Sequence, residues 1–236
     1  MSSDVAVVPM HDQAITKVAK SSGARVVSFG ADSGDYHVLN GVLTCPSGEI
    51  LHRGEMARSL PHDVTNALAA AAITIEAGLA NTTQVAQALR NFVNAPHRIE
   101  FVAESDGVRW FNDSKATSPH ASSVALNSFD SIVLIAGGKN KGLDLTQMAR
   151  NSETVKAGVA IGSSAKEIAT AFAGRCEVQI AGSMRDAVNF ASKLATAGDV
   201  VLLSPGCASY DWYKNYGERG ADFKNEVLVL IKSKQI

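Results

Sequence analysis

The stretch "SIVLIAGGKNKGLDL", residues 131–145, is the key to the architecture. Five consecutive apolar residues end on two glycines, which is too short for a helix core and bounded as a strand is. No polar residue interrupts the run, so both faces of the strand are to be buried. That is the mark of a parallel sheet covered by helices on its two sides. On the carboxyl side the same rhythm continues. "LDLTQMAR" reads as a short helix, "VKAGVAIG" as a strand, "AKEIATAFAG" as a helix, "CEVQIAG" as a strand and "MRDAVNFASKLA" as a helix. "DVVLLSPG" is a last apolar strand, and "ERGADFKNEVLVLIKSK" a C-terminal helix. On the amino side lie a helix over residues 119–127 and a hairpin, "IEFVAESDGVRWFND". Strands alternating with amphipathic helices predict a doubly wound, Rossmann-like α/β domain over residues 97–236.

Upstream the pattern is less regular. A strand is expected over residues 5–8, a helix over 12–20, a strand over 25–30 and turn-rich hairpin sequence to residue 51. An Ala-rich helix comes next and ends at Gly78. "TTQVAQALRNF" then reads as a helix with a threonine as its cap. Pro96 stops it and extends the residue before it, which makes "NAPHR" the expected hinge between domains 1–96 and 97–236.

Composition narrows the function without choosing it. Apolar residues make up 46% and charged residues 19% of 236, and the formal charge is −1, as in ordinary globular chains. Neither a basic excess nor a basic, aromatic-rich stripe points to nucleic acid. Three dispersed cysteines, Cys45, Cys176 and Cys207, lack zinc-ligand spacing and read as buried reduced thiols. No run of 18 apolar residues occurs and no basic segment precedes the first apolar one, so a cytoplasmic protein without a membrane partner is expected.

In a doubly wound sheet, ligands sit beyond the carboxyl ends of the strands. Three polar clusters fall there: "NDSKAT" after "VRWF", "GGKNKGLD" after "IVLIA" and "SPGCAS" after "DVVLL". Lys115, Lys139 and Lys141, several hydroxyls and helix N-termini on one rim would suit a small ligand bearing carboxylates or phosphates. Each cluster also has a plainer reading. Asp113 and Ser114 could cap the next helix, Gly137 and Gly138 could be an ordinary turn, and His62 and His97 are better structural than catalytic residues. The G-x-G-x-x-G spacing of a dinucleotide site is missing. The residues alone therefore reach a small-anion-binding α/β domain, either part of an enzyme or a stand-alone module sensing an acidic amino acid or a nucleotide.

The three segments "PHRIEFVAESDGVRWFNDSKATSPHASSVAL", "LIAGGKNKGLDL" and "VLLSPGCASYDWYKNYGERGADF" resemble the Mur ligase family, in its D-glutamate-adding branch. The resemblance spans nearly all of residues 61–230 and, more weakly, 1–60. It implies ATP-dependent amide formation in peptidoglycan synthesis, in which D-glutamate is added to UDP-N-acetylmuramoyl-L-alanine through an acyl phosphate, with ATP and Mg²⁺. By similarity Lys141, Thr117, Ser209 and Tyr216 would hold D-glutamate. Asn66 would contact adenine, Arg98 the ATP phosphates and Asp113 the ribose. Lys115 would lend electrostatic support to catalysis. The family commonly has Phe where Tyr216 stands and Asn where Ser118 stands. The resemblance further implies that residues 1–96 are a partial central ATPase domain. That domain's phosphate loop and magnesium ligands have no counterpart in this sequence, so a portion inactive as a ligase on its own is expected.

Overall fold

The computed structural model describes residues 4–150 and 152–234. The chain divides into two compact units, residues 1–93 and 94–236.

In the second unit, β6 (Glu100–Ser105) and β7 (Val108–Asn112) form a hairpin. Its turn carries Asp106 and Gly107 at φ 55° and 72°. Two successive left-handed residues suit the twist of the flanking strands, which is why Asp-Gly recurs in such turns. Helix α4 (Pro119–Leu126) leads to β8 (Ile132–Gly137), α5 (Thr146–Arg150) and β9 (Val155–Ile161). Next come α6 (Ala165–Ala171), β10 (Glu177–Ile180), α7 (Met184–Leu194), β11 (Val200–Leu203) and α8 (Tyr216–Ser233). The six strands run in the order β10-β9-β8-β11-β7-β6. All neighbours are parallel except β6, which is antiparallel to β7 at the edge.

Every residue of β8 and of β11 is buried. Val133, Ile135, Val201 and Leu203 pack with Trp110 against Ala187 and Val188 of α7 and against Phe223 and Val227 of α8. Ile132 and Leu134 alternate to the other face of the strand, where α6 packs on β8 and β9. Each such fully buried aliphatic side chain contributes about 1.5–3 kcal/mol. That explains the apolar runs.

The first unit has its own core. β1 (Val5–Pro9) pairs in parallel with β2 (Arg25–Phe29), with α1 (Gln13–Ser21) between them in sequence. β3 (His37–Leu39), β4 (Val42–Cys45) and β5 (Gly48–His52) form an antiparallel sheet, turning at Asn40–Gly41 with positive φ at both residues. Helices α2 (Pro61–Glu76) and α3 (Thr82–Asn91) bury Leu68, Ala72, Val85 and Ala86 against Val27, Tyr36 and Leu43. The expected threonine cap of α3 is corrected by the structure. Asn81 is the cap: its side chain accepts from Gln84 N, and Gln84 answers by accepting from Asn81 N. A carboxamide one residue earlier satisfies the free helix donors as well as a threonine hydroxyl would, and reciprocally. Among the described residues no helix is long and apolar enough to cross a membrane, and the three cysteines are free.

Candidate functional site

Strand order makes the rim. β11 lies between β7 and β8, so the loops that leave these three parallel strands emerge at the same edge of the sheet side by side. Backbone bonds then sew them together. Asp113 N donates to Leu203 O at 2.7 Å and Gly206 N to Ala116 O at 2.9 Å, joining the β7 and β11 loops. Lys139 and Ala208 exchange N–H···O bonds of 2.8 and 3.1 Å, joining the β8 and β11 loops. This approach demands glycines. A Cβ on Gly137 would lie 2.1 Å from Ile161 O, one on Gly138 would lie 2.3 Å from Ala208 O, and both residues have positive φ. The glycine pair thus serves close packing of three loops rather than an ordinary turn.

Beneath the loops lies Arg219, 1% exposed, on the buried stripe of α8 with Phe223 and Val227. Its guanidinium donates to Ser114 Oγ at 3.0 Å, Ser114 O at 2.8 Å and Cys207 O at 3.1 Å. Burial lowers its pKa to about 10, which leaves it charged at neutral pH. Burial likewise raises the pKa of the Cys207 thiol. A fixed positive charge under the rim favours an anion above it. Asp211 closes the far side by accepting from Ser163 N, in the loop after β9, at 2.7 Å.

The sequence-predicted residues fall into distinct settings. Thr117 is half-buried in the β7 loop, Ser209 is buried in the β11 loop, Lys141 is exposed in the β8 loop and Tyr216 opens α8. The order of the strands brings these four to one edge. The Lys141 ammonium lies 5.7 Å from the Tyr210 ring centroid and that of Lys115 lies 5.6 Å from the Tyr216 ring centroid, distances at which a ring face attracts a cation. Asn140 shapes the loop carrying Lys141 by bonding both Leu143 N and Leu143 O.

Asp113 faces inward. It is 6% exposed, and its carboxylate accepts from Ile99 N at 3.2 Å and from Ser204 Oγ at 2.8 Å. Neither Asp113 nor Ser114 caps α4: Ser118 does, its hydroxyl accepting from Ala121 N. Ser and Asn are about equally good caps. Arg98 is exposed, between His97 at φ 63° and Ile99 at φ 45°. The His97 ring accepts from Asn112 Nδ2 at 2.8 Å, and burial lowers its pKa. His62 lies 3.2 Å from Asp63. Both imidazoles are placed by structural contacts. Asn66 is exposed on α2 of the first unit. Among the described residues no group of three or more His, Cys, Asp or Glu could hold a metal ion.

Reading by sequence missed Arg219, Ser204, Asp211 and Tyr210. Arg219 left one signal, an arginine at the i, i+4, i+8 stripe with Phe223 and Val227. The others left none, because each acts through a partner distant in sequence.

Residues 97–207 match the family model described as "Mur ligase, glutamate ligase domain". The UDP-N-acetylmuramoylalanine–D-glutamate ligase of Pelotomaculum thermopropionicum is 47% identical over 77% of this chain and 42% of its own length. That of Desulfitobacterium hafniense is 40% identical over 95% of this chain and 52% of its own. That of Escherichia coli K12 is 37% identical over 90% and 50%. The chain spans about half the length of these curated relatives. Among solved structures, the UDP-N-acetylmuramate–alanine ligase of Thermotoga maritima aligns with a TM-score of 0.66 at 16% identity, over 94% of this chain and 51% of that one. A Mycobacterium tuberculosis folylpolyglutamate synthase aligns at 0.67 and 19%, over 93% and 55%. At such identities these structures speak for the fold.

Proposed function

Because residues 97–207 of this chain are a Mur ligase C-terminal domain, we propose that it is the acceptor-amino-acid portion of an ATP-dependent ligase that joins D-glutamate to UDP-N-acetylmuramoyl-L-alanine in peptidoglycan synthesis. Supporting this reading is one arrangement: three lysine- and hydroxyl-bearing loops of adjacent parallel strands, closed over the buried charge of Arg219. D-Glutamate carries two carboxylates and an amine. Lys141 would pair with the side-chain carboxylate, Thr117 and Ser209 would donate hydroxyl hydrogen bonds, and Tyr216 would form a wall. Asn66, Arg98 and Asp113 are the residues proposed for ATP.

In the reaction proposed, ATP phosphorylates the terminal carboxylate of the other substrate. The unprotonated amine then attacks that carbonyl, inorganic phosphate leaves with the C–O bonding pair, and the nitrogen releases a proton. Holding the amine in attack geometry lowers the barrier by removing translational and rotational freedom beforehand. The role of this chain's residues is to bind and orient the acceptor. The chain spans about half the length of the ligases it matches, and by itself it is expected to show no ligation.

Calorimetric titration with D-glutamate tests the reading. Saturable binding by the wild-type chain is expected, with a loss of about 10-fold or more in Lys141→Ala for a charge-assisted contact. Its melting temperature should barely move, since Lys141 is exposed. Equal affinity of the variant would remove Lys141 from the site, and ligation by the unaided chain would overturn the assignment of an incomplete catalyst.

A further inference from the structure

The loop that carries Lys141 is fixed at both ends. At its start Lys139 exchanges backbone bonds with Ala208 of the β11 loop. At its end the Asp144 carboxylate accepts from Thr146 N at 3.0 Å and from Thr146 Oγ1 at 2.6 Å, while Arg150 donates to its other oxygen at 3.1 Å. Between these anchors the chain bends over residues 140–143 and carries the exposed Lys141. Gly142 makes the bend at φ 78°, and a Cβ there would meet no atom within 4 Å. Backbone conformation, not space, therefore calls for glycine at this position.

Asn140 closes the bend with its side chain. Oδ1 accepts from Leu143 N at 2.9 Å, and Nδ2 donates to Leu143 O at 3.0 Å and to Glu167 Oε2 of α6 at 2.8 Å. Both N–H groups of the carboxamide and its oxygen are thus engaged. Bonds made near the surface are exchanged against bonds to water, so their net gain in stability is small. Their effect is to select one path for the loop. Lys141 itself is a flexible side chain with about 2 kcal/mol of rotamer entropy, and its ammonium lies 5.7 Å from the Tyr210 ring centroid. A backbone held from the preceding residue keeps that ammonium over the ring, and less freedom is then lost when a carboxylate arrives.

We infer that Asn140 is a positioning residue for the acceptor site: its carboxamide closes the bend 140–143, ties it to Glu167 of α6 and so holds Lys141 ready for the acceptor's carboxylate. This rests on the proposed reading of Lys141 as a D-glutamate-binding lysine, and adds to that reading a side chain that acts through Lys141.

The test is D-glutamate calorimetry on the full chain, with amide hydrogen exchange followed by NMR. Asn140→Ala should bind about fivefold or more weakly than wild type, and its melting temperature should barely move. Glu167→Ala should lose about threefold, whereas Glu167→Gln retains an oxygen for Asn140 Nδ2 and should bind as wild type does. In a Lys141→Ala background, Asn140→Ala should cause no further loss, because one residue acts through the other. Losses that multiply would overturn the inference, as would wild-type affinity in Asn140→Ala. Exchange of the Leu143 amide reads the closed bend with no ligand present. It should quicken by about 10-fold or more in Asn140→Ala, with the amide fingerprint of the rest of the unit retained. Exchange as slow as in wild type defeats the clamp. A wild type that gives no heat with D-glutamate defeats the acceptor reading, whereas heat that survives Asn140→Ala undiminished defeats this inference alone.

Discussion

Arg219 shows how one side chain can hold a site together. Its three bonds reach two loops that are about ninety residues apart in sequence, ending on Ser114 and on the carbonyl of Cys207. Replacing it with Met keeps the bulk beside Phe223 but leaves Ser114 O and Cys207 O as buried acceptors without that donor. Such losses cost about 1–3 kcal/mol for each unsatisfied group. Arg219→Met should therefore lower stability by about 2–4 kcal/mol in urea unfolding, and weaken D-glutamate binding beyond that of Lys141→Ala. A variant as stable as wild type would mean that the loops do not depend on this charge.

Between elements, the two ends of the six-stranded sheet are built differently. At the end opposite the rim, Asp199 leads into β11 and gathers the starts of its neighbours. It accepts from Ser131 Oγ before β8 at 2.7 Å, from Lys156 Nζ of β9 at 2.5 Å, and from Thr196 N at 2.6 Å. Burial alone would raise its pKa, but the bonds from Lys156, Ser131 and Thr196 outweigh burial and hold it at about 2. A carboxyl depressed in the folded state contributes stability that is present above its unfolded pKa of about 3.9 and lost as pH falls through the folded value. The side chain is 7% exposed, so solvent screening takes little from this. Between about pH 4 and pH 2 the unit should lose about 2 kcal/mol from this group. Asp199→Asn should flatten that part of the stability–pH curve. An unchanged slope would refute the assignment. Hairpin turns and strand types at this scale were legible in the sequence, since Asp106–Gly107 and the apolar runs of β8 and β11 each arise from local sterics or from burial on both faces. The α3 cap was not read correctly, because Asn81 and Thr82 are both competent caps and only the chain's path chooses between them.

Taken whole, the molecule holds two separate cores, one gathered on Leu68, Tyr36 and Leu43, the other on Trp110, Val133, Leu203 and Phe223. A unit with its own core and a closed set of strand pairings has the elements that folding alone requires. Residues 94–236 produced without the first unit should melt cooperatively and retain D-glutamate binding within about threefold of the full chain. A molten spectrum from that piece would mean that its core depends on residues 1–93.

The order of amino acids suffices to say that the carboxyl part of the chain forms a doubly wound α/β fold and that polar loops line the carboxyl edge of its sheet. A strand buried on both faces must be written as an apolar run, and the chain must turn once it leaves the sheet. Which loops touch was settled by the three-dimensional arrangement alone. β11 enters between β7 and β8 after nearly ninety further residues, and that pairing sends Asp113 inward to Ile99, Arg219 beneath Ser114 and Asp211 across to Ser163. Most of these contacts join residues far apart in the chain, and a hydrogen bond between them depends on their positions in space, which no local pattern encodes.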